Sequence, residues 1–470
     1  MTQVTIIGGG PGGYEAALVA AQLSAKVTVV DGGGIGGATV LTDCVPSKTL
    51  IATAEAITTT KDSGQLGVLL DGAAISSSRI SADIRKVNER IKSLAAAQSA
   101  DIRKRLLDNS VEIISGKGQL LGSGEVAILG SHKQVIKSDV ILIATGARPK
   151  QLPSALCDGQ RILNWQQLYD LTELPEKLIV IGSGVTGAEF ASAYRALGSE
   201  VVLISSRKQV LPAEDIDAAA LIESVFQRRG MQVLASARAR NVSAKDNQVF
   251  VELDSGEVIT GSHALIAIGS IPNTEQLGLD VAGVKSLPNG FIEVDRVSRT
   301  SARNVYAAGD CTGVLPLASV AAMQGRIAMY HALGDAVSPL DLNTVSQNVF
   351  TDPEIASVGV SQELVDSGEI KARVLTLSLA GNARAKMQGQ VDGLIKLFAS
   401  PESSVVLGGV VVARNASELI FPITLAVEQR LNVDQLASTF TIYPSLTGSI
   451  AEAARQLHRV TDSAPTTKGI

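Results

Sequence analysis

Apolar positions along this chain gather in short runs that end at glycine, and the runs come in two matching sets. Val4-Thr5-Ile6-Ile7 leads into Gly8-Gly9-Gly10-Pro11-Gly12-Gly13, an alanine-rich stretch follows from Tyr14 to about Ser24, and Lys26 to Val30 makes a second apolar run closed by Asp31. That order predicts a strand, a glycine turn, a helix and a second strand ending in an acid. The pattern returns at Lys177 to Ile181, Gly182-Ser183-Gly184-Val185-Thr186-Gly187, a helix from Ala188 to Leu197 and a strand from Val201 to Ile204. Each set is followed by a further apolar strand ending in a glycine turn, Val140 to Gly146 and Ala264 to Gly269. One glycine triplet is a weak signal, but two in full context, 174 positions apart (182 − 8), are a strong one. In such units the glycines permit the tight turn, the approach of backbone to a pyrophosphate and the close packing of helix on strand. The start of the helix then offers unpaired N–H groups and a favourable dipole to phosphate.

Elsewhere the periodicity changes. Ser77 to Asn109 reads as an amphipathic helix with Arg85, Lys86, Arg90 and Lys92 on its wet face. From about Asn343 strand-like runs (Gly393 to Phe398, Val405 to Ala413) precede helical ones (Ser417 to Arg430, Val433 to Ser438). The expected fold class is α/β, with two Rossmann-like domains and a C-terminal α+β domain. The expected boundaries are 1–149 and 272–342 for the first nucleotide domain, 150–271 for the second, 343–460 for a separate C-terminal domain and 461–470 for a flexible tail.

Length and composition narrow the classes. The 470 residues call for several domains, and Lys+Arg of 41 against Asp+Glu of 46 gives no basic excess for nucleic acid. Three cysteines (Cys44, Cys157, Cys311) and four histidines are too few and too scattered for a disulfide framework or a zinc site, so no metal is expected. The first strand begins almost at Met1, which leaves no room for a signal peptide, and no apolar run predicts a transmembrane segment; the expectation is a cytoplasmic protein.

Just after Asp31 the chain reads Gly36-Gly37-Ala38-Thr39-Val40-Leu41-Thr42-Asp43-Cys44-Val45-Pro46-Ser47-Lys48. With Ala144-Thr145-Gly146, Ala308-Gly309-Asp310 and Ala416-Ser417-Glu418-Leu419-Ile420, this resembles the flavoprotein disulfide reductases, closest to the lipoamide dehydrogenase branch, over the chain to about residue 458. The family pattern G-G-T-C-x-x-x-x-C-x-P-S-K carries two redox cysteines, and here Thr39 stands for the first while Cys44 keeps the flavin-side place. A hydroxyl cannot carry out thiol–disulfide exchange. The family's H-P-T-L-S-E run is also changed, to Tyr443-Pro444-Ser445-Leu446-Thr447-Gly448, so the catalytic His and Glu are gone together. Tyrosine, with an ordinary pKa near 10, is a poor base at neutral pH.

The resemblance implies FAD, held by Gly8, Gly10, Gly13 and Asp31 at its ADP half, by Asp310 and Ala318 nearer the flavin, and by Gly118, Thr145 and Gly146 as further contacts. From the pattern alone Asp310 is equally a helix cap. Lys48 is implied beside the flavin, paired with Glu189. NADPH or NADH is implied at Gly182, Gly184, Gly187 and Gly269. Where the NAD-using branch carries an acid for the ribose, this chain has Ser205, followed by Arg207 and Lys208, which suits a 2′-phosphate or forms a solvated basic turn.

What remains is hydride transfer from NAD(P)H through FAD to a second acceptor, as in the actinobacterial NAD(P)H quinone reductase branch that lacks the redox disulfide. The resemblance also implies a homodimer, in which Tyr443 reaches the quinone site across subunits or simply packs the interface. Cys44 stands open between an inert thiol, a thiolate donor to the flavin and a peroxide-sensitive thiol. A pyridine nucleotide transhydrogenase, a single-Cys peroxidase or oxidase, and a non-catalytic flavin-loaded sensor or complex subunit are the alternatives.

Overall fold

The computed structural model describes residues 1–75, 80–129 and 134–458; the segment expected as a flexible tail lies outside the described residues. Two compact units divide the chain. One holds Met1–Lys61, the stretch up to Val210 and Arg229–Asp341; the other holds the 62–75 stretch, Leu211–Arg228 and the chain from Leu342 on.

The first unit contains both glycine-turn motifs. One five-stranded parallel sheet runs in the order Val305–Ala307, Val140–Ile143, Gln3–Ile7, Lys26–Asp31, Glu112–Ser115. A second parallel sheet runs Ile162–Leu163, His263–Ile266, Lys177–Ile181, Glu200–Ile204, Gln232–Leu234. In each, the glycine-turn strand is central, so its residues are apolar on both faces: Ile6 and Ile179 are fully buried. The strand ends therefore meet at one edge of each sheet, where ligands of open parallel sheets bind. The amphipathic helix is observed at Ile84–Asp108, starting where the Asp83 carboxylate accepts the Lys86 N–H at 3.2 Å.

The second unit is an antiparallel sheet ordered Gln347–Val349, Glu354–Gly359, Val406–Ala413, Leu394–Ala399, Arg373–Ser378, faced by short helices. The helix expected over Ser417 to Arg430 is two helices, Ala416–Leu419 and Phe421–Glu428, because Pro422 is tolerated only in the first turn of a new one. Helix Ile216–Arg228 falls between the strands of the nucleotide sheet in sequence but clusters with this unit. Its start is fixed by a buried ion cluster: Lys396 Nζ lies 2.8 Å from both Asp215 and Asp217, with the Lys396 and Asp215 side chains only 2% and 3% exposed. Burial works against that ammonium, and the hydrogen bonds to the two carboxylates outweigh it, holding its pKa above the ordinary lysine value.

Candidate functional site

The first glycine turn is built so that nothing but glycine fits parts of it. Gly8 has φ +110°, and a Cβ there would sit 2.2 Å from the Ala144 carbonyl oxygen. Gly13 packs the helix on its strand, since its Cβ would lie 1.9 Å from the Gly8 oxygen. Gly10 is different: it precedes helix Pro11–Gln22 with φ −71°, no side chain caps that helix, and an added Cβ would meet only the Gly37 Cα, at 4.0 Å. The open face belongs to a cavity of about 560 Å³ lined by Gly8, Gly10, Asp31, Gly118, Thr145, Gly146, Asp310 and Ala318. Those eight expected positions are thus brought together; Gly13 and Lys48 are not in the lining. Asp31 ties the cavity's rim, its carboxylate accepting the N–H groups of Gly9 at 2.6 Å, Gly33 at 2.9 Å, and Gly34.

Residues that sequence reasoning missed complete this cavity. Arg148, Asn273, Glu275 and Gln276 line it, and the Arg148 guanidinium donates to the Asn273 side chain at 3.1 Å and pairs with Glu275 at 3.0 Å. They come from chain segments joined by the pairing of Ala147–Pro149 with Ser270–Pro272, a long-range contact that no local pattern announces. Gln324, 2% exposed, accepts the Gly309 N–H at 2.8 Å and so orients the turn that delivers Asp310.

The second glycine turn repeats the first. Gly182 has φ +109° and a Cβ there would sit 2.2 Å from the Ala267 oxygen, and a Cβ added at Gly187 would lie 1.8 Å from the Gly182 oxygen. Gly184 opens helix Val185–Leu197 with no atom within 4 Å of an added Cβ. Gly269 is likewise open, at φ +96°. Ser205 departs from the expectation that its side chain faces a nucleotide. It is fully buried, its hydroxyl accepts from Ser183 at 2.7 Å and from the Arg207 N–H at 3.1 Å, and it donates within the 205–209 turn. Its hydroxyl is spent on holding the turn that leaves Arg207 and Lys208 exposed.

The segment between Gly36 and Lys48 holds the two positions where the family pattern has its cysteines. Thr39 lines the cavity, on the short helix Gly37–Leu41, and Cys44 starts helix Cys44–Asp62 as a free thiol. Burial, then the Asp43 carboxylate, push the Cys44 thiol up to about 11, which the Lys48 ammonium only partly offsets. Lys48 Nζ lies 2.8 Å from the Glu189 carboxylate, whose side chain is 4% exposed. Burial opposes that ammonium too, and Glu189 outweighs it. Cys311 is fully buried and donates to the Ala308 oxygen at 3.3 Å, a packing role. Tyr443 belongs to the second unit, is 87% exposed, and stands with Phe440 and Ile442 in a run of exposed apolar side chains.

Two uncapped helix starts at glycine turns of parallel sheets, one beside a cavity with an acid-tied rim, are the arrangement of a two-dinucleotide oxidoreductase. The comparisons agree. The family model described as pyridine nucleotide-disulphide oxidoreductase matches residues 2–325, and that of the family's dimerisation domain matches 345–454. The chain belongs to the pyridine nucleotide-disulphide oxidoreductase family. It is 52% identical over 469 residues to an NAD(P)H dehydrogenase (quinone) of Mycobacterium tuberculosis, covering 97% of this chain and 94% of the relative. It is 34% identical over 451 residues to a dihydrolipoyl dehydrogenase of Chlamydia trachomatis, covering 96% and 95%. The crystal structure of LpdA from Mycobacterium tuberculosis matches with a TM-score of 0.92 and 50% identity, covering 98% of this chain and 100% of that one. FAD and NAD(P)H are the cofactors of such an oxidoreductase, and the two glycine cradles have the open faces these groups need. The dimerisation domain speaks for a homodimer, and among the described residues no helix is long and apolar enough to cross a membrane.

Proposed function

We propose that this chain is a FAD-dependent NAD(P)H:quinone oxidoreductase and does not reduce disulfides. The observation that carries the reading is the redox segment itself, where Thr39 replaces one thiol and the surviving Cys44 is pushed up to about 11. Disulfide exchange needs a thiolate, and at neutral pH a thiol so shifted is ionised in only about one molecule in ten thousand. The named activity of the 52%-identical mycobacterial relative supports the same acceptor class.

In this reading Gly8, Gly10, Gly118, Thr145, Gly146, Asp310 and Ala318 hold FAD, with Asp31 fixing the rim and Gly13 setting the helix. The flavin, when bound, supplies the hydride relay between donor and acceptor. Lys48, held by Glu189, presents a positive charge that favours the electron-rich state of that relay. Gly182, Gly184, Gly187 and Gly269 receive the nicotinamide dinucleotide, and Arg207 with Lys208 pairs a 2′-phosphate, so NADPH is accepted. Tyr443 supplies a hydroxyl to the quinone site from the partner subunit of a cytoplasmic homodimer. The domain scheme is two nucleotide domains (1–149 with 272–342, and 150–271) followed by the interface domain 343–460. The test is to reduce the purified holoenzyme with NADPH and compare menadione with lipoamide as acceptor. Menadione turnover with none for lipoamide is expected; comparable lipoamide turnover would sink the proposal.

A further inference from the structure

The second glycine turn and the flavin cavity share one piece of chain within the first unit. Gly269 stands at the open turn of the second nucleotide fold, at φ +96° with no atom within 4 Å of an added Cβ. The residues after it pair with the segment leaving the first fold: Ser270, Ile271 and Pro272 face Pro149, Arg148 and Ala147 in antiparallel register. A hydrogen bond to a glycine turn closes this short ribbon at each end. The Lys150 N–H donates to the Gly269 oxygen at 2.9 Å, and the Asn273 N–H donates to the Gly146 oxygen at 2.9 Å. Each turn is thereby tied to the strand that leaves the other.

The chain then runs along the cavity. Asn273, Glu275, Gln276 and Leu277 all line it, although they belong to the segment that leaves the second turn. Asn273 engages both ends of its amide: Nδ2 donates to the Thr145 oxygen at 3.0 Å, and Oδ1 accepts from the Arg148 guanidinium at 3.1 Å. That orientation is set by chemistry, because a guanidinium only donates and a carbonyl oxygen only accepts. Arg148 also donates to the Pro272 oxygen at 3.2 Å and pairs with Glu275 at 3.0 Å. Farther on, the Gln276 oxygen accepts from the Gln119 side chain at 3.2 Å and the Leu277 oxygen accepts the Leu120 N–H at 2.8 Å. These two bonds fix the segment to strand Lys117–Gly122, which carries the cavity-lining Gly118. Residues 269–277 therefore join the second turn to two walls of the flavin cavity, the Thr145–Gly146 turn and the Gly118 strand.

We propose that this segment couples the two nucleotide sites, so that a nicotinamide dinucleotide at the second turn tightens the hold on FAD, with Asn273 as the positioning residue that carries the effect. The coupling rests on the reading above that Gly269 receives that dinucleotide. Its physical origin is shared ordering. A glycine turn with open space over it has conformational freedom to lose, and a ligand against Gly269 removes it. The Lys150 bond and the ribbon pass that restraint to Asn273 and Gly146, which leaves less ordering for FAD to impose on its own cradle. Coupling of this kind is reciprocal, so FAD raises the affinity for the dinucleotide by the same factor.

The test reads the FAD dissociation constant of the reconstituted enzyme from flavin fluorescence, with and without saturating NADP+, which binds without reducing the flavin. In wild type NADP+ should tighten FAD by about fivefold or more. In Asn273→Ala and Asn273→Asp that ratio should fall toward one; the Asp variant keeps an acceptor for Arg148 and loses only the donor to the Thr145 oxygen. A residue that merely props the fold would weaken FAD alike with and without NADP+, and an unchanged ratio overturns the role of Asn273. Should neither variant retain FAD, Arg148→Lys takes the forked donor from Asn273 Oδ1 instead, and an unchanged ratio there has the same meaning. NADP+ binding to the holoenzyme is measured alongside by calorimetry, in wild type and Gly184→Ala. Binding that Gly184→Ala weakens, with no effect of NADP+ on FAD in wild type, sinks the coupling alone. Binding indifferent to Gly184→Ala removes the reading of the second turn, and the coupling with it.

Discussion

Substituting Gly184 with alanine separates nucleotide binding from folding. At this position φ is −70° and ψ −175°, a conformation alanine adopts freely, and the new Cβ would have no protein atom within 4 Å. The fold and the FAD content should therefore be unchanged. The methyl group does, however, stand in front of the uncapped helix start that we propose receives the pyrophosphate. Holding a phosphate away from one backbone N–H donor there removes a charge-assisted hydrogen bond, about 1.5–3 kcal/mol, or roughly 10- to 150-fold in affinity. Anaerobic titration of the flavin absorbance with NADPH reads this directly. Gly187→Ala is the contrast: its Cβ would fall 1.8 Å from the Gly182 oxygen, so it should cost folding of the second sheet rather than affinity alone. Gly10→Ala, with only the Gly37 Cα at 4.0 Å, should lose FAD by the same steric route as Gly184→Ala loses NADPH. An NADPH dissociation constant for Gly184→Ala equal to that of wild type would refute the assignment of this helix start to the nicotinamide nucleotide.

Removing Arg207 and Lys208 together by alanine should weaken NADPH and leave NADH nearly unaffected, with the NADPH loss shrinking at high salt; equal losses for both nucleotides would place the 2′-phosphate elsewhere. Lys396→Met strands the Asp215 carboxylate, 3% exposed, and should destabilise the second unit by roughly 3–5 kcal/mol, read by urea unfolding and amide exchange in Leu394–Ala399; Asp215→Leu added to it should recover much of the loss. Cys44→Ser should leave menadione turnover unchanged, and alkylation of Cys44 in wild type should quicken by about tenfold per pH unit up to a plateau near pH 11, since burial and Asp43 disfavour the thiolate below that pH.

The two nucleotide folds were legible because each depends on a local pattern: glycines whose spacing is dictated by atoms a few residues away, as Gly13 is by the Gly8 oxygen. The expected strands at Gly393 to Phe398 and Val405 to Ala413 appear as Leu394–Ala399 and Val406–Ala413. The missing thiol at Thr39 and the missing His at Tyr443 were legible because a family pattern states what should be there. What escaped reading depends on burial and on distant partners. Ser205 looked like an open slot because it ends a strand, whereas packing turns its hydroxyl inward to Ser183. Lys396 reads as a surface charge in an apolar run until Asp215 and Asp217, some 180 residues earlier in the chain, are found beside it.

Helix Ile216–Arg228 has a consequence for recombination. Exchanging the nucleotide-binding segment between relatives at 150 and 271 would carry this helix along, with its buried Ile222, Val225 and Phe226, although the helix clusters with the unit that stays behind. The recipient strand Leu394–Ala399 would then keep a buried ammonium opposite whatever the incoming chain has at 215 and 217. A chimera that retains Leu211–Arg228 with its own C-terminal sheet, and grafts the flanking pieces on either side, keeps each interior with the residues that evolved inside it. In this chain the exchangeable cassette is discontinuous.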